Sequence, residues 1–128
     1  MSYCISKKVE IRFDQALERV KEELKKEGFG VLTEINVKET LKNKLGVEFR
    51  PYMILGACNP PFAHRALQAE DKIGLMLPCN VIVQETPGGS VEVAAIDPVA
   101  SMQAVRNPVL KEIAEQVKNK LERVIHSL

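Results

Sequence analysis

Residues 52–61 read Tyr-Met-Ile-Leu-Gly-Ala-Cys-Asn-Pro-Pro, and residues 74–83 read Gly-Leu-Met-Leu-Pro-Cys-Asn-Val-Ile-Val. These two apolar runs decide the fold. The first predicts a strand ending at Cys58, and its lack of polar alternation favours a central position covered on both faces. Each run contains a Cys-Asn pair, Cys58-Asn59 and Cys79-Asn80. We predict two core strands joined by a short helix.

The chain before these runs predicts a strand, a helix, a strand and a helix. Residues 3–12 end in a polar-apolar alternation that indicates a half-buried strand. An amphipathic helix is expected to begin at Asp14 and to stop near Gly28. Residues 29–36 alternate as a second strand. Residues 37–45 have few apolar positions, so we expect a short helix on the surface.

The chain after Cys58 predicts six further elements. They are a helix over 60–70, a strand over 73–86, a hairpin turn over 87–90, a strand over 90–96, a helix over 98–105 and a long helix over 108–128. The last helix carries one apolar stripe and is the clearest amphipathic element. The order β-α-β-α-β-α-β-β-α-α is typical of an α+β fold. We therefore predict a single domain over residues 1–128, with helices packed on one face of a mostly antiparallel sheet.

Three of the predicted helices begin with an Asx-Pro pair: Asn59-Pro60, Asp97-Pro98 and Asn107-Pro108. An Asx side chain can accept hydrogen bonds from the free amides of the first turn. Proline suits the first helical position because its missing donor would be unpaired there. We therefore predict that all three Asx residues cap their helices.

Composition excludes several classes of protein. The chain has 128 residues with 18 basic and 17 acidic side chains, a formal net charge of +1. This balance provides no strong positive electrostatic field that would attract nucleic acid or an anionic membrane, so neither is an expected partner. Lys7, Lys8 and Glu10 interrupt the first apolar residues, which argues against a signal peptide. The longest apolar run is too short to span a bilayer, and a cytoplasmic location is expected.

The three cysteines form neither a disulfide framework nor a Cys-x-x-Cys motif. Cys58 precedes a helix whose positive end would favour the thiolate, although a free cysteine in an apolar strand is commonly a packing residue. Cys79 is expected in mid-strand. If the two strands are neighbours, both sulfurs and His64 could converge on zinc or another soft metal. The spacing of these residues matches no standard metal signature.

Asn80 is a polar residue within an apolar strand, and its amide would need hydrogen-bond partners if it were buried. Pro78 indicates a bulge or an edge nearby because proline cannot donate to a strand ladder. A bulge beside a polar residue is a common way to shape a site. Gly88-Gly89 is explained by the hairpin and not by a phosphate loop. No carboxylate pair or nucleophile elbow marks a catalytic centre, so whether the chain is an enzyme stays open.

Residues 54–60 (Ile-Leu-Gly-Ala-Cys-Asn-Pro), His64-Arg65-Ala66-Leu67 and the run from Gly74 to Val81 together resemble the family called domain of unknown function 302. Residues 28–33 and the Ile96-Asp97-Pro98 step resemble it too. The resemblance covers essentially the whole chain. It implies a small α+β domain that tends to form homodimers, and it implies no activity and no catalytic residues.

Three hypotheses follow. The first is a homodimeric module that binds or senses a small ligand or a soft metal through Cys58, Asn59, His64, Cys79 and Asn80. The second is a thiol-dependent enzyme or redox protein that uses Cys58. The third is a structural protein that acts through its dimer surface.

Overall fold

The computed structural model of the protein describes residues 2–128. Its strands are β1 (Cys4–Val9), β2 (Gly30–Asn36), β3 (Tyr52–Cys58), β4 (Cys79–Glu85) and β5 (Val91–Ile96). Its helices are α1 (Phe13–Lys26), α2 (Val37–Leu45), α3 (Pro60–Ala69), α4 (Pro98–Ser101) and α5 (Pro108–His126), with a 3₁₀ helix at Ile73–Met76. The order of helices and strands is the predicted one.

The five strands form one sheet in the order β1-β5-β4-β3-β2, and every neighbouring pair is antiparallel. Helices α1 and α5 pack against strands of this sheet, and α3 and α4 pack on α5. The predicted α+β class, with an antiparallel sheet and a long C-terminal helix, is confirmed. Along residues 2–128, no helix has both the length and the apolar composition that crossing a bilayer requires.

The two faces of the sheet differ in burial. Val81 and Val83 of β4 lie in the core with Val93 of β5, whereas Ile82 between them is only half-buried. This alternation puts one face under the helices and leaves the other largely open. The prediction that β3 is covered on both faces was therefore wrong in part, because Leu55 is fully buried and its neighbour Ile54 is not.

The apolar stripe of α5 closes the core as predicted. Its buried residues are Leu110, Ile113, Ala114, Val117, Leu121, Val124 and Ile125. They recur every three or four positions, which places them on one side of the helix. The stripe packs with Val20 and Leu24 of α1 and with the buried face of the sheet in a single cluster.

The structure corrects the predicted strand over 73–86. Residues Ile73–Met76 form a 3₁₀ helix, the Leu77–Pro78 peptide is cis, and β4 begins only at Cys79. A continuous apolar run shows no hydrophobic periodicity, so its sequence does not distinguish a buried strand from a buried helical turn. Cys79 is consequently the first residue of its strand and does not lie in mid-strand.

The predicted bulge also lies elsewhere. The register shifts in β2, between Val31 and Thr33, and not at Pro78. Pro78 precedes the strand, where its missing donor costs no ladder hydrogen bond. Its ring lies over β3, since a Cβ added to Gly56 would approach Pro78 Cγ to 2.8 Å and would also meet the Thr33 hydroxyl. The space above Gly56 is therefore filled from two sides.

Other predicted boundaries shift by a few residues. Strand β1 ends at Val9 rather than at residue 12, because Phe13 already begins α1. The helix predicted over 98–105 stops at Ser101 and continues as a turn. Asp97 and Asn107 cap their helices as expected, accepting from Val99 N at 2.9 Å and from Val109 N at 3.0 Å.

Candidate functional site

An apolar cavity opens at the end of the sheet where β3 finishes and β4 begins. Its volume is about 320 Å³, at the lower end of the range for small-molecule sites. Its walls come from the two strand ends, from α3 and α5, and from the segment after the 3₁₀ helix. Apart from one amide and two thiols, the lining side chains are apolar. They include Phe62, Ala63, Ala66, Leu77, Ala114 and Val117.

Small side chains at the contact between two helices contribute to this space. Ala63 and Ala66 of α3 line the cavity opposite Ala114 of α5. Larger residues at these positions would extend into the gap between the helices. Ala66 and Ala114 are buried. Their methyl side chains are small and apolar, so they leave room between the helices without adding polar groups to the cavity wall.

Cys58 and Cys79 both line the cavity. Cys58 is the last residue of β3, and its neighbour Ala57 is directly opposite Cys79 in the β3–β4 ladder. Both thiols are free. Burial raises the pKa of the Cys79 thiol to about 11, and the nearby Cys58 adds to the shift. The predicted approach of the two cysteines is thus present, in surroundings that keep Cys79 protonated at neutral pH.

Asn59 also lines the cavity, but its side chain does not cap α3. Instead Nδ2 donates a hydrogen bond to the carbonyl oxygen of Glu27 at 3.1 Å. The predicted capping role was therefore wrong. The residue is buried and links the start of α3 to the turn that follows α1. A buried amide needs such a partner, and here the main chain of a distant segment provides it.

His64 and Asn80 do not join the cavity. His64 is exposed on α3, and Asn80 is exposed on β4, opposite Gly56 in the neighbouring strand. Asn80 follows Cys79 directly, so the alternation of the strand turns it to the other face. Of the five candidate residues, the structure brings together Cys58, Asn59 and Cys79.

The three candidate metal ligands are not gathered in one place. Within residues 2–128, no group of three or more His, Cys, Asp or Glu side chains is arranged to hold a metal ion. The two thiols lie in the cavity wall while His64 faces solvent. Binding of zinc or another soft metal stays a prediction that this arrangement does not favour.

Two cations flank the cavity wall at Phe62. The Arg65 guanidinium carbon lies 5.9 Å from the centre of the Phe62 ring, and Lys120 Nζ lies 6.0 Å from it. Arg65 and Lys120 lie near the same ring because α3 packs against α5. They are 55 positions apart in the chain, so local sequence carries no signal of this proximity. Local sequence also gives no signal that Ala63 and Ala66 of α3 line the cavity.

The family model for DUF302, described as a domain of unknown function, matches residues 5–128. The chain belongs to the DUF302 family. A solved structure described as the crystal structure of an uncharacterised conserved DUF302 protein from Bacillus stearothermophilus is 32% identical. That likeness covers 98% of each chain with a TM-score of 0.92. No curated protein matches the chain. Membership in DUF302 therefore establishes the fold and leaves the activity to be argued from the site.

Proposed function

We propose that this DUF302 domain binds a small ligand in the apolar cavity between α3, α5 and the ends of β3 and β4. The observation that carries the proposal is the cavity itself, about 320 Å³ in volume with almost wholly apolar walls. Small-molecule sites in proteins are concave and mostly apolar, with a few polar groups that orient the ligand. Here Cys58, Asn59 and Cys79 are those polar groups.

Exposed apolar side chains at the rim support the same proposal. Leu32 and Leu67 line the cavity and are 68% and 46% exposed. Leu75, which follows the lining residue Gly74 in the 3₁₀ helix, is 87% exposed. Exposed apolar residues that are grouped around a cleft are typical of ligand-binding sites, whereas scattered ones are ordinary. An apolar ligand would meet favourable surface before it enters.

The proposal is tested with a neutral probe, 1-decanol, in an NMR titration of the whole domain. We expect shifts at the methyl groups of Val117 and Leu77 and a rise in Tm. Ala63→Phe fills the cavity and should abolish both effects. Gln68→Phe adds the same ring on the exposed side of α3 and should retain them. Shifts confined to other surfaces, or binding that survives Ala63→Phe, would overturn the proposal.

Formation of a homodimer belongs to the same proposal, with the open face of the sheet as its interface. Ile35, Ile54, Ile82 and Ala94 lie in register across four strands on that face. Charges of both signs lie near these residues. Arg50 Nε donates to Gln84 Oε1 at 3.0 Å, and Gln84 Nε2 donates to Glu92 Oε1 at 2.9 Å. A surface with both signs can meet a rotated copy of itself, as two-fold dimers require.

Sedimentation equilibrium tests the dimer. Ile35→Lys adds a charge to the proposed interface on its edge strand β2 and is expected to shift the protein to monomer. Leu45→Lys is the matched control, since Leu45 is exposed at the end of α2. A wild-type protein that stays monomeric at high micromolar concentration would refute the dimer and leave the ligand proposal standing.

The metal and thiol-enzyme hypotheses have direct tests. Native mass spectrometry with elemental analysis detects bound metal, and a metal-free protein unaffected by zinc and by Cys58→Ser would exclude it. For the enzyme hypothesis, alkylation of Cys58 is measured against pH in Cys4→Ser protein. A Cys58 that reacts only on unfolding would exclude thiol catalysis. The cytoplasmic location stays a prediction.

A further inference from the structure

We propose that the ligand is an amphiphilic anion, a medium-chain carboxylic acid. Its tail would lie in the cavity and its carboxylate beside Arg65 and Lys120. This inference rests on the proposed binding function and adds the chemical class of the ligand. It is carried by a contrast between the interior of the cavity and its edge at Phe62.

The interior has no cation to pair with a charged headgroup, since no Lys, Arg or His among residues 2–128 lines it. The Asn59 amide donates one of its two hydrogens to the Glu27 carbonyl oxygen, which leaves one neutral donor. The Cys79 thiol is buried and stays protonated at neutral pH, and a thiol is a weak donor. Burying an ionised group without strong hydrogen bonds carries a large free-energy cost. A polar end of the ligand must therefore lie at the edge of the cavity, and the tail inside must be apolar.

The volume limits the length of that tail. A methylene group is similar in size to a water molecule, which occupies about 30 Å³ of liquid, so the cavity admits roughly ten carbon atoms. A chain of this length is flexible enough to follow a curved space. Bulky polycyclic ligands would need the helices α3 and α5 to separate.

The edge at Phe62 supplies positive charge. Arg65 and Lys120 lie at similar distances, 5.9 and 6.0 Å, from the same ring centre. Arg65 has no carboxylate within salt-bridge distance anywhere in residues 2–128. A carboxylate that reaches both cations would make charge-assisted hydrogen bonds, which are the stronger kind.

One acidic group lies near these cations. Glu27 Oε1 is 3.9 Å from Lys120 Nζ but only 3.0 Å from Arg123 Nη2. Arg123 Nε also donates to the same oxygen at 3.0 Å. Glu27 is therefore neutralised mainly by Arg123, and Lys120 is held weakly. The three cations and one carboxylate leave a net positive charge where the headgroup would lie.

Isothermal titration with decanoate and with 1-decanol separates headgroup from tail. Wild-type protein should bind decanoate about tenfold more tightly than decanol, because only decanoate meets the two cations. Arg65→Gln and Lys120→Gln should each lower the affinity for decanoate about two- to fivefold, as expected for the loss of an exposed ion pair. The double variant should bind both ligands equally. Lys44→Gln is the matched control, since Lys44 is exposed on α2 and forms no salt bridge within residues 2–128.

The possible failures are distinct. If decanol binds as tightly as decanoate, or if the double variant keeps its preference, the ligand class is wrong and the apolar cavity remains the site. If neither ligand binds and Ala63→Phe changes nothing, the proposed function fails as well. Because Arg65 is exposed and Lys120 is partly so, the circular dichroism and Tm of these variants should match those of the wild type.

Discussion

Asn59 Nδ2 donates a hydrogen bond to the carbonyl oxygen of Glu27 at 3.1 Å, across 32 positions of chain. The bond ties the beginning of α3 to the turn after α1. The same amide closes over Gly28, where φ is +87° and an added Cβ would lie 3.3 Å from Asn59 Nδ2. Gly28 thus serves both the left-handed turn and the space that the amide needs.

Asn59→Asp tests whether this side chain donates or caps. Aspartate caps helices as well as asparagine does, but it cannot donate to a carbonyl oxygen. We expect the free energy of unfolding to fall by about 1–3 kcal/mol, the cost of leaving a buried group unpaired. Urea denaturation of both proteins measures the difference.

Asn36→Asp is the control for that experiment. The Asn36 side chain accepts from Glu39 N at 3.0 Å and so caps α2. Among the residues that the structure describes, it donates to no carbonyl oxygen as Asn59 does. Aspartate at this position should change the free energy of unfolding by less than about 0.5 kcal/mol. Equal losses at Asn59 and Asn36 would contradict the donor role.

Gly56→Ala is expected to destabilise the protein. The new Cβ would meet the Thr33 hydroxyl and would lie 2.8 Å from Pro78 Cγ. The Pro78 ring cannot rotate away, so the loss should be about 1–3 kcal/mol, as for other overpacked sites. Thermal and urea unfolding give the value, and Gly56→Ala/Thr33→Ala should recover only the part due to Thr33.

Gly88→Ala serves as the comparison for Gly56. An added Cβ at Gly88 meets nothing within 4 Å, and its φ is not in the left-handed region. The substitution should be neutral or slightly stabilising, by up to about 1 kcal/mol. A loss at Gly88 as large as that at Gly56 would show that steric contact is not the cause.

The stability of the protein should depend on Cys79 at high pH. Its pKa is about 11 in the folded state, raised from 9.0 by burial and by Cys58. In the unfolded state the thiol ionises first, so the unfolded state binds fewer protons between about pH 9 and pH 11. The free energy of unfolding should therefore fall across this window, by about 2–3 kcal/mol from this group.

Cys79→Ala isolates that contribution. It removes the titrating thiol and keeps the lysines and tyrosines, which also titrate at high pH. The difference between the two proteins in how the free energy of unfolding changes with pH therefore reports Cys79. Urea unfolding at pH 8 and at pH 11 should show a smaller loss in the variant than in the wild type. Parallel slopes would mean that Cys79 does not titrate in this way.

Asp97 should contribute through two separate contacts. Oδ1 accepts from Val99 N at 2.9 Å, and Oδ2 lies 3.0 Å from Lys118 Nζ. Asp97→Ala removes both and should cost about 1–2 kcal/mol, mainly from the lost cap. Asp97→Asn keeps a capping oxygen and should cost less, because the pair with Lys118 is partly exposed.

Titration of Lys118 by NMR distinguishes the two contacts. The hydrogen bond from Lys118 to Asp97, followed by its charge, raises the pKa of Lys118. In Asp97→Asn this pKa should fall toward the ordinary lysine value while α4 stays capped. An unchanged Lys118 pKa would show that the ion pair is absent in solution.

Much of the fold was predictable because its signals are local. The stripe of α5 repeats every three to four residues, and the alternation in β5 repeats every two, so each element can be recognised without its neighbours. The approach of Cys58 and Cys79 was also predictable, given that their strands are neighbours. The run 73–78 was not, because an apolar segment without a period fits a strand and a 3₁₀ helix equally well.

The sequence by itself determined the order of helices and strands, the α+β class and the stretch that carries the candidate site. Only the tertiary structure decided what that stretch contains. Asn59, Asp97 and Asn107 all precede proline. Asp97 and Asn107 cap their helices, whereas the Asn59 side chain donates to the Glu27 carbonyl oxygen because packing brings the turn after α1 within its reach. The cavity and its two cations likewise arise where α3 meets α5. Contacts between distant segments have no local period, so they follow from packing alone.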